Sequence, residues 1–120
     1  VHMTGYRNDA AAMIGALDIN CAPSRGREGL TKTILEGMAQ GVPSIVSAAG
    51  GLPEMVDDCE SGYVVAIDEL PDFTSKLRQL VASPEQREIF GQRGREIVQE
   101  RFSIDQTVNK TAALYSALCS

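Results

Sequence analysis

Two glutamates, Glu28 and Glu36, stand in "REGLTKTILEGMAQGVP", residues 27 to 43, with seven residues between them. A carboxylate at such a place does one of two things: it faces water, or it accepts hydrogen bonds from hydroxyls of a bound sugar or ribose. Gly26 and Gly29 let the backbone take positive φ or approach a ligand closely. The helical pattern behind them leaves free N–H groups near Leu30, Thr31 and Lys32. With the positive end of the helix dipole, those amides make a seat for a phosphate. Lys32, and behind it Arg25 or Arg27, offers countercharge.

Glu36 falls about six residues into that helix, roughly 9 Å along its axis at about 1.5 Å per residue, which is comparable with the span of a diphosphate. A carboxylate there reaches a ribose beyond the phosphates, while Glu28, in the loop, reaches hydroxyls on the other side. The spacing suits a nucleoside diphosphate sugar laid over the helix N-terminus. The plain alternative is a core stripe of Ile34, Leu35, Met38 and Ala39 with glutamate on the solvated face. By spacing alone both glutamates read first as solvated charges.

A second loop, "AAGGLPEMV", sets Gly50 and Gly51 ahead of Pro53 and Glu54. The pair could bring amides to a sugar or phosphate, or simply make a tight strand-to-helix turn with an acidic first helical turn. His2, the only histidine, sits on a candidate strand and reads as incidental. Cys21, Cys59 and Cys119 are far apart, show no zinc or disulfide spacing, and read as small, reduced core residues. No serine lies in a nucleophile-elbow pattern.

These residues need elements to hold them. "VHMTG" alternates and stops at glycine as a strand does; "DINCAPS", "PSIVSAAGG" and "SGYVVAID" are three more strand candidates. Between them lie helical patterns, the first with Met13, Ile14 and Leu17 behind a cap at Asn8 or Asp9. Leu70, Phe73, Leu77, Leu80 and Val81 form one later stripe. Ser83 with Pro84 and Gln86, then Ser103 with Gln106, start two closing helices divided near Phe102.

The order β-α-β-α-β-α-β followed by helix predicts an α/β fold: a parallel sheet of about four strands covered by helices on both faces. In such a sheet ligands bind outside the carboxyl ends of the strands. That places "PSRGREG", "AAGGLPE" and "IDELP" at the site.

The chain has 120 residues, enough for one domain or less. Eleven basic against sixteen acidic residues, scattered, give a net charge of −5 and disfavour nucleic-acid binding. No apolar run approaches the roughly 20 residues of a membrane span, and membrane contact is not indicated. Residues 1–9 lack the pattern of a signal peptide and resemble the middle of a fold, so the chain is expected to begin part-way through a domain, in a cytoplasmic protein.

Taken together, "APSRGREGLTKTILEGMAQGVPSIVSAAGGLPEMVDDCESGYVV" resembles the nucleotide-sugar-binding region of family-4-type retaining glycosyltransferases of the GT-B fold. The likeness rests on Pro-Ser after a strand, the spaced glutamates in a "Leu-Glu-Gly-Met-Ala" context, "Gly-Val-Pro" before a strand, and "Gly-Gly-Leu-Pro-Glu". "TGYRND" and "RGREIVQERFS" extend it over nearly the whole chain.

The resemblance implies a Rossmann-like, partial C-terminal donor domain. It lacks its first strand-helix unit and the N-terminal acceptor domain, which becomes an expected partner. Glu28 would face the donor sugar near the reacting centre and Glu36 would bind the ribose. The backbone at Gly29, Leu30 and Thr31 would hold sugar and diphosphate. Thr31 departs from the family pattern, where many members carry a second glycine.

The implied chemistry is sugar transfer from a nucleoside diphosphate with retention and with neither metal nor other cofactor. Glu28 is read as orienting the sugar rather than attacking it. The alternative is a stand-alone nucleotide-binding or interaction module without catalysis, prone to self-association through an open sheet edge. An epimerase or phosphorylase of similar fold is the weaker third reading, since Lys32 lacks a pyridoxal phosphate setting.

Overall fold

The computed structural model describes residues 1–119. Three strands, β1 (Asn20–Ala22), β2 (Ser44–Ser47) and β3 (Gly62–Val65), form one parallel sheet in the order β1-β2-β3. Asn20 pairs with Ser44, and Ser44 with Gly62. Six helices surround them: α1 (Ala10–Gly15), α2 (Lys32–Ala39), α3 (Leu52–Met55), α4 (Leu70–Ala82), α5 (Pro84–Arg101) and α6 (Ile104–Cys119).

Alternation along β2 explains the two layers. Val46 enters a core with Ile34 and Met38 of α2, Leu52 and Met55 of α3, and Ile97 of α5. Its neighbour Ile45 points to the opposite face, against Tyr63, Val65, Leu80 and Phe90. Tyr63 meets Phe90 edge to face, with ring centroids 5.2 Å apart, an arrangement that aromatic quadrupoles favour. The Tyr63 hydroxyl donates to Gln79 at 3.1 Å. All four residues of β2, the flanking serines included, are buried, because both faces of the strand are covered. On β1 the buried Asn20 donates its side-chain amide to the Thr33 carbonyl at 3.1 Å, fixing the first turn of α2 against the sheet.

Both late start signals act as capping chemistry predicts. Ser83 Oγ accepts from the Gln86 amide at 3.2 Å. Ser103 Oγ accepts from the Gln106 amide at 3.2 Å. At α1 the expected cap fails. Asp9 makes no cap bond, because both its oxygens accept from the Arg7 guanidinium at 2.7 Å.

Three sequence expectations need correction. The sheet has three strands rather than about four: residues 1–5 form no ladder, and Val1 and Met3 are exposed, so neither pairing nor burial supports a strand there. His2 accordingly lies on no strand. All three cysteines are free but exposed, not core residues; desolvation nonetheless pushes the Cys21 thiol above its usual range. Finally, the α4 stripe narrows, with Leu80 buried but Leu70 and Val81 exposed.

Candidate functional site at the carboxyl ends of the strands

The loop after β1 carries Ser24 to Thr31 and delivers the chain into α2. Thr31 takes the N-cap position with extended backbone angles, but its hydroxyl makes no cap bond and is buried without a partner. The first helical residue is Lys32, so the amides that open the helix are those of Lys32 and Thr33, neither with a backbone acceptor among the described residues. That shifts the expected phosphate seat about one residue along the chain, beyond Leu30. It also places Glu36 fifth in the helix, about 6 Å along the axis from Lys32 rather than about 9 Å.

Glu36 is half-buried, and Lys32 Nζ lies 3.3 Å from its Oε1 as an i,i+4 pair. Lys32 itself is almost fully exposed. In this structure its charge therefore serves the glutamate and not a separate seat. Arg25 is likewise engaged: its Nε donates to Asp68 Oδ1 at 2.5 Å, joining the loop after β1 to the loop after β3. Asp68 has a positive φ, a left-handed conformation that aspartate tolerates better than most residues.

Glu28 lies in the exposed loop, where Ser24 Oγ donates to its Oε1 at 3.2 Å. Its main chain is held from the second loop. The Gly51 amide donates to the Glu28 carbonyl at 2.8 Å, so that amide is engaged within the protein. Gly50 also has a positive φ, and a Cβ there would overlap the Glu28 carbonyl oxygen; glycine alone meets both demands at no steric cost. The two glycine-bearing loops are therefore one packed unit.

Sequence reasoning missed Ser24, Ser47 and Asp68. Ser47, the buried last residue of β2, donates to the Ser24 carbonyl at 2.5 Å. The signal for Ser24 is present in "PSRGREG", four residues before Glu28. Contacts of Ser47 and Asp68 span long stretches of chain and have no local signature.

A cleft of about 240 Å³ opens at the ends of all three strands, lined by Pro23, Ser24, Arg25, Ser47, Asp68 and Phe73 among others. Glu28 and Glu36 do not line it; Ser24 does, and its hydroxyl links the cleft to Glu28. Larger open depressions of about 680 and 780 Å³ lie along α4, sharing Leu70 with the cleft, and along α5. Among the described residues no three His, Cys, Asp or Glu side chains gather as a metal site. Nor is any helix there long and apolar enough to cross a membrane.

The model for glycosyl transferases group 1 matches residues 1–83 of this sequence. The chain belongs to that family. EpsD of Bacillus subtilis (strain 168), named as a glycosyltransferase, is 36% identical over 113 residues, covering 94% of this chain and 29% of that protein. The MMP alpha-(1->4)-mannosyltransferase of Mycolicibacterium hassiacum is 33% identical over 118 residues, covering 96% of the chain and 28% of the relative.

This group 1 chain thus spans less than a third of the relatives it matches. Among solved structures, HepE of Anabaena in complex with UDP superimposes with TM-score 0.89 at 21% identity, over 95% of this chain and 31% of that one. The fold is shared with GT-B glycosyltransferases, of which this chain matches a part.

Proposed function

We propose that this chain is the C-terminal donor-binding part of a retaining glycosyltransferase, acting in the cytoplasm on a nucleoside diphosphate sugar. The observation that carries the reading is Glu28, held by Ser24 and Gly51 beside the N-terminus of α2 at the carboxyl end of β1. Support comes from the family, and from HepE, a neighbour of the same fold whose structure contains UDP.

In this reading the diphosphate rests on the first-turn amides of α2 and the backbone of Gly29 to Thr31, with Lys32 beside it. Glu36 accepts from the ribose hydroxyls. The bond from the anomeric carbon to the diphosphate oxygen breaks, the acceptor hydroxyl oxygen bonds to that carbon on the same face, and the hydroxyl proton passes to the departing diphosphate oxygen. The leaving oxygen gains negative charge against oriented N–H groups, which need no reorganisation at the moment of reaction. Glu28 orients the sugar and lies close to the developing positive charge, without covalent attachment. No metal or other cofactor enters the scheme.

In this reading the full-length protein carries, ahead of this chain, an N-terminal acceptor domain and then the first strand and helix of the donor domain. The test uses that protein with a panel of UDP, GDP and ADP sugars. Glu28→Gln is expected to lower kcat by roughly 10²- to 10³-fold, the scale of losing one preorganised electrostatic contact. Full turnover by this variant would sink the assignment.

A second reading, a nucleotide-binding or interaction module without catalysis, is favoured by two observations. β1 forms an edge of the sheet and α6 exposes Ile104, Val108, Leu114, Tyr115 and Leu118. Self-association through that edge would follow. An open reading frame continuing some 200 residues upstream, about the size of another domain, would favour the enzyme.

A further inference from the structure

Glu28 is held from three directions by β2 and the loop behind it. The Gly51 amide fixes its carbonyl at 2.8 Å. Gly50 packs its bare Cα against the Glu28 main chain: a Cβ there would overlap the carbonyl oxygen and stand 2.6 Å from the amide nitrogen. Ser47 fixes the Ser24 carbonyl at 2.5 Å, and Ser24 Oγ in turn donates to the Glu28 carboxylate. Ser47 is 5% exposed, and the Ala22 carbonyl, at 3.4 Å, is only a weak second acceptor for its single proton.

We propose that Ser47 and Gly50 are positioning residues for sugar transfer, acting on the donor through Glu28 and not by contact with the nucleotide. The inference rests on Glu28 as the carboxylate that faces the sugar. The nucleotide half of the site is built from the first turn of α2, Glu36 and the backbone of Gly29 to Thr31; Ser47 bonds none of these, its strong acceptor being the Ser24 carbonyl. A disturbance of Ser47 therefore misaims one carboxylate and leaves the seat of the diphosphate intact. If the glycine loop bound the donor directly, the same disturbance would weaken donor binding instead.

The full-length protein carrying this chain provides the test, with kcat and KM measured for Ser47→Ala, Glu28→Gln and the double variant. Ser47→Ala is expected to lower kcat about tenfold, the scale of a small misplacement of a reacting group. Donor KM and nucleoside diphosphate affinity should stay within about threefold, since only a contact realised in the transition state is disturbed. In the Glu28→Gln background, Ser47→Ala should change kcat by less than about twofold, because residues acting as a unit are not additive.

Ser44→Ala is the control. Ser44 lies on the same strand, fully buried, with a hydroxyl that has no partner, and its loss should leave kcat unchanged. Gly50→Ala, whose Cβ would strike the Glu28 main chain just before Gly29, is expected to lower kcat more strongly and to weaken donor binding as well; if it does not fold, the Ser47 cycle decides alone. A Ser47→Ala loss that persists undiminished beside Glu28→Gln, or that falls on KM instead of kcat, would overturn the inference while leaving the donor site in place. Full turnover by Glu28→Gln is the distinct result that removes both.

Discussion

Asp57, between α3 and β3, accepts from Arg101 through both oxygens, at 2.8 and 2.7 Å, and Arg93 lies 3.7 Å away. The Arg101 hydrogen bond, with added charge from Arg101 and Arg93, holds the Asp57 carboxyl below its ordinary value of 3.8; partial burial opposes this without prevailing. The sign follows directly. A carboxyl whose folded pKa is depressed contributes stability above its unfolded value, and that contribution is lost as pH falls through the folded one. Asp57→Asn should therefore cost about 1 kcal/mol at neutral pH, modest because the pair is partly solvated. It should also remove part of the acid limb below about pH 4. Urea unfolding at pH 7 and pH 3 measures both. Parallel losses by wild type and variant over that interval would show that Asp57 is not the group responsible.

At the scale of elements, α5 carries two interior glycines that helix propensity disfavours by about 1 kcal/mol each. They answer different needs. A Cβ on Gly91 would overlap the Gly41 carbonyl oxygen, where the turn between α2 and β2 crosses the helix. A Cβ on Gly94 would meet Met38 at 3.5 Å, an ordinary contact. Overpacking against backbone costs about 1–3 kcal/mol, which outweighs the propensity gained at Gly91 but not at Gly94. Thermal unfolding should show Gly91→Ala destabilised and Gly94→Ala unchanged or stabilised by up to about 1 kcal/mol; the reverse order would refute this packing account. The same contrast marks what the sequence could tell. Local signals were readable: the Ser83 and Ser103 caps, the β2 strand, and the strand-loop-helix setting around Glu28 and Glu36. Long-range contacts were not, since nothing near Gly51 announces that its amide will hold the carbonyl of Glu28, on the far side of α2 and β2 in the chain. The alternation of "VHMTG" was legible as a pattern, yet a pattern becomes a strand only when a neighbour pairs with it.

At the scale of the whole molecule, the function proposed above makes this chain one side of a binding cleft. The described residues extend 54 × 30 × 30 Å, and α6 buries none of its side chains. Lys32 and Arg25 are already paired with Glu36 and Asp68, while Arg27 stands exposed in the loop before Glu28. The chain spans 29% and 28% of the two relatives described above. A donor laid over α2 would thus gain helix amides and two carboxylates, with few free cations and no opposing wall to exclude water. Without desolvation, the electrostatic contacts that hold a diphosphate are weakened by solvent. The isolated chain is therefore expected to bind UDP, GDP or ADP sugars with Kd of about 100 µM or weaker, about −5.5 kcal/mol, and to transfer no sugar. Titration calorimetry reads the first and product analysis the second. Submicromolar binding by these 120 residues alone would mean that the seat is complete without a second domain, and that the amides of α2 contribute far more than a half-open helix terminus should.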